Sequence, residues 1–288
     1  MAKSSTAAAT PVDMSGKTVL VTGASPGSLG FETARTLAQW GADVVVTTRS
    51  DVRRAVDAVG SGTGHELELA SRDSVRSFAE WFRNTHDRLD VLINNAGVHL
   101  DLRSSWKQPT LVDGHEIHWR TNYLGTTHLT DELLPLLKAT DGSRVVNVVS
   151  KLHARGRNEF LFAPITPYNS WVAYGTSKLA LIHATTELNR REGVTAYSLH
   201  PGSVYTHIAD RGLDGHRILA ATRRIAAPLE RRMLLTPSQG AQTSLHCATA
   251  VAEPGYYRAC RLTEPSPDAQ DADVAGRLWE QTRAWLVG

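Results

Sequence analysis

Apolar runs that alternate with helix-length segments are the feature that most constrains the fold of this chain. Six short runs rich in β-branched residues are separated by segments with a helical period, and several are apolar on consecutive residues, as in Val44-Val45-Val46. A strand of that kind is buried on both faces, which is typical of a parallel sheet covered by helices. The sequence therefore predicts an α/β fold, a single-domain doubly wound parallel sheet with helices on both faces.

The same patterns predict the elements and the limits of the domain. The strands are predicted at 18–22, 44–48, 65–69, 91–94, 145–150 and 194–200, and the main helices at 31–40, 74–84, 116–138 and 172–191. Residues 1–15 are small and polar, so we expect a flexible leader outside the fold, with a targeting signal as the alternative. Residues 16–288 then form one domain, in which the Arg-, Ala- and Gly-rich residues 206–235 are a substrate-loop insertion over the carboxyl edge of the sheet.

Composition excludes several classes of protein. A formal net charge of +2 over 288 residues gives no support to nucleic-acid binding. Cys247 and Cys260 cannot form a disulfide framework, and no signal segment opens the chain, so we expect a reducing, cytoplasmic setting. No apolar run approaches the roughly 20 residues that span a bilayer. The histidines and cysteines lack zinc-like spacing, which predicts no metal site.

A glycine-rich loop lies between the first predicted strand and the first predicted helix. Glycines let a backbone approach a pyrophosphate, and a helix N-terminus offers free N–H groups and partial positive charge to it. The loop therefore predicts a Rossmann-type dinucleotide site, the alternative being a turn that needs glycine only for its positive φ. The predicted phosphate contacts are Gly23, Ser25, Gly27, Ser28, Leu29 and Gly30.

The end of the second predicted strand indicates which dinucleotide binds. Sites for NAD usually place a carboxylate there for the ribose hydroxyls, whereas NADP needs a cation for its 2′-phosphate. Thr48 and Arg49 occupy this place and no acid accompanies them. Arg49 can make a forked, charge-assisted contact to phosphate, and the Thr48 hydroxyl can donate. We predict NADP(H), the alternative being that Arg49 is a solvated residue leaving a strand.

Three further residues predict the chemistry. Tyr174 and Lys178 lie four residues apart, on one face of a helix, and Ser150 ends a strand at the edge where open α/β sheets bind ligands. Carbonyl reduction needs a proton donor, and a nearby ammonium group favours the ionised form of a phenol. We predict that Tyr174 gives the proton, Lys178 supplies the cation and Ser150 holds the carbonyl oxygen. Each residue alone would be an ordinary helix-surface or turn residue.

From residue 17 to its C-terminus, the chain resembles the short-chain dehydrogenase/reductase family, most closely the retinol dehydrogenase and WW-domain oxidoreductase branch. The motifs are the glycine loop, the Tyr174/Lys178 pair, Asn94-Asn95-Ala96-Gly97, Asn122 in Thr121-Asn122-Tyr123-Leu124-Gly125, 201–206, 236–243 and 277–280. The resemblance implies that Asn122 supports a proton path near Lys178, which also touches the nicotinamide ribose with Tyr174. It further implies that the cofactor contacts include Glu68, Leu69, Asn95, Ala96, Gly97, Pro201, Gly202, Val204 and Thr206.

The chain departs from the family pattern in three places. The glycine loop is one residue longer and carries Pro26, which shifts the expected pyrophosphate contacts from Gly27 toward Ser28 and Leu29. Glu68 stands where the family commonly has Asp, and a backbone contact to adenine tolerates the change. The long segment between Ser150 and Tyr174 predicts that residues 151–172 wall the substrate pocket. Phe160, Leu161 and Phe162 give this segment an apolar face, which would indicate a hydrophobic substrate if it were exposed beside the nicotinamide.

Several residues keep two interpretations. His153 either faces the substrate or is a solvated loop residue, and Trp171 and Tyr168 either form an aromatic wall or pack in the ordinary way. The arginines at 217, 223, 224, 231 and 232 either attract an anionic ligand or lie on a solvated amphipathic helix.

The predicted function is an NADP(H)-dependent oxidoreductase that transfers a hydride between the nicotinamide and a carbonyl or secondary alcohol of a hydrophobic substrate, as a ketoreductase. The alternatives are a non-catalytic NADP(H)-sensing protein and an enoyl reductase, whose tyrosine would stand at the place of Trp171. The substrate is a bulky cyclic or polyketide-type ketone, or a retinoid- or steroid-like alcohol. Family members often pair through the helices of Asn122 and Tyr174, which predicts a homodimer or homotetramer.

Overall fold

The computed structural model describes residues 7–204 and 234–287. The strands are β1 Thr18–Thr22, β2 Asp43–Thr48, β3 Thr63–Glu66, β4 Val91–Asn94, β5 Leu111–Val112, β6 His115–Glu116, β7 Arg144–Val148, β8 Thr195–His200, β9 Gly255–Arg258 and β10 Arg261–Leu262. The α-helices are α1 Leu29–Gln39, α2 Val52–Val59, α3 Arg72–Thr85, α4 Thr126–Ala139, α5 Ser170–Glu187, α6 Pro237–Thr249 and α7 Ala272–Val287. Nearly all of the predicted insertion, with Thr206 and the arginine-rich stretch, lies outside the described residues.

Eight strands form one sheet in the order β10-β9-β8-β7-β4-β1-β2-β3, and every neighbouring pair except β9 with the short β10 is parallel. The chain builds outward from β1 in two directions, which is the doubly wound arrangement. Strands β5 and β6 make a separate antiparallel hairpin. The predicted α/β fold class, with one mostly parallel sheet, is confirmed.

Both faces of the sheet are covered, as the consecutive apolar residues of the strands require. Alternate residues of β2 point to opposite sides, with Val44 and Val46 in one core and Val45 in the other. Helices α1, α2 and α6 contribute to the first core, and α3 and α4 pack on the opposite face. A third cluster joins α5 to α7. The carboxyl ends of β1, β2, β4, β7 and β8 therefore meet at one edge between these layers.

Two predicted elements differ from the structure more than the others do. Strand β3 begins two residues and ends three residues before the strand predicted at 65–69. Leu67 and Leu69, whose apolar side chains suggested the later position, are buried just beyond the end of β3. The helix predicted over 116–138 is interrupted: Glu116 closes the hairpin, a π-helical turn covers Trp119–Gly125, and α4 follows. Gly125 lets this turn pack closely against the segment after β3, because a Cβ there would collide with the backbone oxygen of Leu69.

The prediction of a flexible leader over 1–15 is wrong for residues 7–15. Ala9 and Met14 belong to the core cluster that contains α1 and α6. The Met14 N–H donates to the backbone oxygen of Trp40 at 2.7 Å, and the Ala9 N–H donates to Gln242 Oε1 at 3.0 Å. Small residues without a helical or strand period pack here because they fit between α6 and the end of α1.

Helix α5 is almost completely enclosed within the chain. Only Trp171, Val172 and Thr186 of its residues are not fully buried. Helix α7 packs along it, and the Tyr123 hydroxyl is 2.7 Å from Thr282 Oγ1 of α7. Helix α7 of the same chain therefore covers part of α5, and the homodimer or homotetramer stays a prediction.

We predict that Leu278→Ala lowers the free energy of unfolding by about 2 to 5 kcal/mol, because it opens a cavity between α7 and α5. Leu278 is 2% exposed, whereas Leu262 is 47% exposed. Leu262→Ala is the matched control and costs less than about 0.5 kcal/mol. Urea denaturation followed by circular dichroism compares the two variants, and equal midpoints would show that α7 does not stabilise the domain.

Candidate active site

One cavity of about 420 Å³ opens at the carboxyl edge of the sheet. Its wall includes residues from the loops after β1, β2, β3, β4, β7 and β8, together with α5. Most of the predicted site residues line it, namely Gly23, Ser25, Ser28, Leu29, Thr48, Arg49, Glu68, Leu69, Asn95, Ala96, Gly97, Ser150, Tyr174, Lys178, Pro201, Gly202 and Val204. The structure therefore brings the predicted phosphate, adenine-side and catalytic residues together in a single space.

Three of the predicted residues are not part of the cavity wall. Gly27 and Gly30 do not line the cavity, and neither does Asn122. Gly30 allows α1 to approach the neighbouring loops, because a Cβ there would collide with the Asn95 side chain and lie 2.8 Å from the Gly23 oxygen. Gly30 and Asn122 instead support the loops that form the wall, whereas the cofactor contacts of Gly27 and Gly30 and the place of Asn122 in a proton path stay predictions.

The glycine loop ends at a capped helix. Ser28 is the N-cap of α1: its hydroxyl accepts from the Phe31 N–H at 3.1 Å and donates to the Gly23 oxygen at 3.2 Å. Helix α1 begins at Leu29, two residues before the predicted start, so Ser28 and Leu29 reach the cavity in place of Gly27. This agrees with the shift that the longer loop predicts.

Asn95 joins the loops after β1 and β4. Its side-chain amide donates to the oxygens of Thr22 and Gly23 at 2.8 and 3.2 Å. The Thr22 hydroxyl accepts from the N–H groups of Asn95 and Ala96, each at 3.0 Å. These bonds fix the floor of the cavity beneath the glycine loop.

The predicted adenine side carries one ion pair. Arg49 Nη1 lies 3.7 Å from Glu68 Oε2, and both side chains are about 40% exposed. Glu68 Oε1 also accepts from the Ala70 N–H at 3.1 Å, which holds the carboxylate in place. The Thr48 hydroxyl donates to the Ser50 oxygen at 2.8 Å and is thereby already engaged within the loop. Arg49 is the group at this end that can turn toward an anion.

Tyr174, Lys178 and Ser150 meet at the other end of the cavity. Lys178 Nζ lies 5.9 Å from the centre of the Tyr174 ring and donates to the Val148 oxygen at 3.1 Å. Gly97 leaves room for the lysine, because a Cβ there would be 3.2 Å from Nζ. Ser150 caps the turn after β7, where its hydroxyl accepts from the Leu152 N–H at 3.2 Å.

Burial sets the acidity of this pair. It raises the pKa of Tyr174 to about 12, and hydrogen bonding with the Ser150 side chain acts in the opposite direction. Burial lowers the pKa of Lys178 to about 8. At neutral pH the phenol therefore keeps its proton and the amine is mostly charged, which is the state needed to protonate an alkoxide beside a cation.

Asn122 organises the catalytic end without touching the cavity. Its side chain accepts from the Val98 N–H at 2.7 Å and donates to the Val98 oxygen at 2.9 Å and to Ser177 Oγ at 3.2 Å. Ser177 in turn donates to the backbone oxygen of Tyr174 at 2.7 Å. The amide thus links the loop after β4 to the helix that carries the catalytic pair.

Sequence reasoning missed part of the wall. His99, Leu100 and Leu102 line the cavity from the loop after β4, and His200 lines it at the end of β8. The signal available was their position directly after the Asn94–Gly97 motif and before Pro201. Neither histidine is part of a recognisable sequence motif. Packing in three dimensions brings both side chains to the cavity.

Part of the segment 151–172 lines the cavity, as predicted, but the residues of its apolar face do not. Lys151, Leu152 and Trp171 line it, whereas Phe160, Leu161 and Phe162 do not. Leu161 is buried in the cluster formed with α5, and Phe162 packs under the guanidinium of Arg277 at 3.9 Å. The apolar face of this loop therefore serves the core and α7, which is a correction to the prediction.

The alternatives left for the aromatic residues are now decided. Trp171 belongs to the wall, whereas Tyr168 donates to Glu116 Oε1 at 3.0 Å outside it. His153 neither faces the cavity nor is solvated, so both interpretations are wrong. It is buried, with Nδ1 donating to the Ser150 oxygen at 2.7 Å and Nε2 accepting from the Ser266 N–H at 3.1 Å.

Comparison with known proteins identifies the family. The model of the family described as short chain dehydrogenase matches residues 17–214. The chain belongs to this family. It is an oxidoreductase that acts on CH–OH or C=O groups, and the resemblance predicted from its motifs is confirmed.

The relatives found are consistent in type. Human retinol dehydrogenase 11 is 38% identical over 93% of this chain and 85% of its own length. Human retinol dehydrogenase 13 is 37% identical over 95% and 85%. A solved structure of an uncharacterised protein from Mycobacterium paratuberculosis has a TM-score of 0.70 and 32% identity, and the match covers 96% of this chain and 95% of that one.

We predict that Gly30→Ala weakens NADPH binding roughly tenfold to a hundredfold, because a methyl group against Asn95 and Gly23 costs about 1 to 3 kcal/mol of strain. Gly276→Ala is the matched control, since a Cβ in that helical position meets only the side-chain tips of Arg190 and Arg191. Fluorescence titration with NADPH measures both affinities. Unchanged binding in Gly30→Ala would contradict the close packing of α1 on the loops.

Proposed function

We propose that this protein is an NADP(H)-dependent ketoreductase acting on a hydrophobic ketone. The observation that carries the proposal is the convergence of Tyr174, Lys178 and Ser150 on one cavity, whose other end carries Arg49. Oxidoreductases of this family interconvert alcohols and carbonyls, and a phenol beside an ammonium group suits proton delivery to the carbonyl oxygen. The enoyl reductase alternative places the tyrosine where this chain has Trp171.

The residues present fit a nicotinamide dinucleotide. The glycine loop at the N-terminus of α1 offers backbone N–H groups where a pyrophosphate would be held. Gly23 permits the close approach of the glycine loop to the loop after β4, because its φ of 68° favours glycine and a Cβ would lie 2.9 Å from the Ala96 Cα. When bound, the cofactor supplies a hydride. Among the described residues, Pro201, Gly202 and Val204 are proposed to hold its nicotinamide end, and Thr206 lies outside them.

Tyr174, Lys178 and Ser150 are proposed to have separate roles in proton transfer to the substrate. The Tyr174 hydroxyl is proposed to donate its proton to the oxygen of the substrate, and its raised pKa keeps that proton in place at neutral pH. The charged amine of Lys178 stabilises the phenolate that remains. Ser150 donates a hydrogen bond to the same substrate oxygen and orients it. The Tyr174 phenol keeps a proton that it can donate, and NADPH is in excess in cells, so we propose the reductive direction.

The cavity wall indicates the kind of substrate. Leu100, Leu102, Leu152 and Trp171 form an apolar surface near Tyr174. A flat or cyclic hydrophobic ketone fits this surface. The names of the relatives add retinol-like alcohols as a second candidate class.

Two further expectations stay predictions. The alternative of an NADP(H)-sensing protein without chemistry is disfavoured by the complete set of catalytic groups, and a measurement of ketone turnover distinguishes the two.

Across 7–204 and 234–287, none of the helices combines the length and apolar character needed to cross a bilayer. The cytoplasmic location is proposed from the sequence alone.

We predict that Tyr174→Phe lowers kcat for ketone reduction roughly 10²- to 10⁴-fold, because it removes the proton donor. The assay follows NADPH absorbance with 1-tetralone, a steroid ketone and retinal as separate substrates. Tyr257→Phe is the matched control, since that buried phenol donates to the Glu253 oxygen and does not line the cavity. Unchanged turnover in Tyr174→Phe would show that Tyr174 is not the proton donor.

Cofactor preference gives an independent test. We predict that Arg49→Asp reduces the ratio of NADPH to NADH affinity roughly 10- to 100-fold, because a charge-assisted contact to the 2′-phosphate is lost. Glu68→Gln has the opposite sign and raises NADPH affinity up to about fivefold, because it frees Arg49 from an exposed ion pair. Isothermal titration calorimetry with NADPH and with NADH measures the change in affinity for each variant. An unaltered ratio in Arg49→Asp would contradict the preference for NADP(H).

A further inference from the structure

The ring of His99 lies flat against the ring of Tyr174. The two ring centres are 4.5 Å apart and the ring planes differ by only 14°. His99 also lines the cavity, and its ring covers one face of the phenol there. The chemistry assigned to Tyr174 leaves this contact unexplained.

The backbone on each side of His99 is fixed by side chains of the next segment. The Asn122 amide makes hydrogen bonds to both the N–H and the oxygen of Val98. The Leu100 N–H donates to Nε2 of His118 at 3.1 Å. His118 is itself held, because its Nδ1 donates to Glu116 Oε1 at 2.7 Å. With both neighbouring residues bonded, the position from which the His99 side chain extends is set.

Other aromatic rings enclose the imidazole. Trp171 meets it edge-on, with ring centres 4.7 Å apart and planes at 86°, and His118 does so at 5.5 Å and 74°. His99 is only 3% exposed. Burial, followed by the proximity of His118, lowers the pKa of His99 to about 4, so the ring is uncharged at neutral pH. The stack on Tyr174 and the edge-on contacts with Trp171 and His118 thus enclose an uncharged ring.

Packing, not hydrogen bonding, holds this ring. Its Nε2 atom is buried and has no hydrogen-bond partner within the described residues. A buried nitrogen of that kind contributes nothing to stability and generally costs free energy. The feature of His99 that the surroundings use is therefore its flat shape.

We propose that His99 is a positioning residue for Tyr174, whose flat ring fixes the plane of the phenol and closes one of its faces to substrate and water. This inference rests on the proposed function, in which Tyr174 delivers the proton. The direction of the hydroxyl depends on the orientation of its ring, and proton transfer depends steeply on that direction. A substrate then reaches the phenol only from the face that His99 leaves open.

The experiment compares His99→Ala with His99→Phe in the full-length protein, using NADPH and 1-tetralone, or whichever ketone of the panel is reduced. Removing the ring is expected to lower kcat roughly 10- to 100-fold while the dissociation constant for NADPH stays within about twofold. Phenylalanine keeps a flat ring without the unpartnered nitrogen, so His99→Phe is expected to retain kcat within about threefold and to unfold at the same or a higher temperature.

A matched control and a double variant separate positioning from general damage. His86 stacks on Phe82 with ring centres 4.6 Å apart and planes at 20°, in the loop that leads from α3 toward β4, so His86→Ala removes a similar stack outside the cavity. It is expected to leave kcat unchanged. Adding His99→Ala to Tyr174→Phe is expected to cause no further loss, because His99 acts through Tyr174. Should His99→Ala fail to fold, His99→Leu replaces it as the variant without a flat ring.

Three results would overturn the inference while the proposed function stands. Wild-type kcat in His99→Ala or His99→Leu would show that the stack is not needed. A loss in His99→Phe equal to that in His99→Ala would show that the nitrogen, not the shape, matters. An additive loss in the double variant would show that His99 acts apart from Tyr174. Failure of the proposed function is distinct, since Tyr174→Phe itself would then keep full activity.

Discussion

The site depends on hydrogen bonds that tie the loop after β4 to its neighbours. Parallel strands bring their carboxyl ends to one edge, but they do not fix the loops that leave that edge. Asn95 binds this loop to the glycine loop, and Asn122 binds it to α5 through Ser177. The four residues from Asn95 to Val98, which Asn122 binds, thus set the distance from the phosphate end of the cavity to Tyr174.

The catalytic end combines burial with a small number of polar partners. Lys178 is buried, and the hydrogen bond that its amine makes within the described residues goes to the Val148 oxygen. A cation in such a place gains when a negative charge forms beside it, which is what loss of the Tyr174 proton produces. Both groups lie on α5, which is buried along most of its length.

Sequence reasoning reached the fold and most of the site because both have local signals. Consecutive apolar residues in β1 and β2 predict burial on two faces, and the Tyr174/Lys178 spacing predicts a shared helix face. The packing of residues 7–15 and the interruption at Gly125 have no such signal, since they depend on contacts with α6 and Leu69. His99 and His153 were missed or misplaced for the same reason. Their roles come from which ring or backbone group lies opposite, and a single sequence does not record that.

The central claim is that the Tyr174 hydroxyl delivers a proton to a ketone held beside Lys178. A crystal structure of the protein with NADP⁺ and a bound ketone such as 1-tetralone tests it most directly, because the oxidised cofactor cannot reduce the ketone. The account predicts that the ketone oxygen lies within about 2.6 to 3.2 Å of both the Tyr174 and the Ser150 hydroxyls, with the carbonyl carbon facing the nicotinamide. A ketone oxygen bound elsewhere in the cavity, with Tyr174 turned toward solvent, would contradict it.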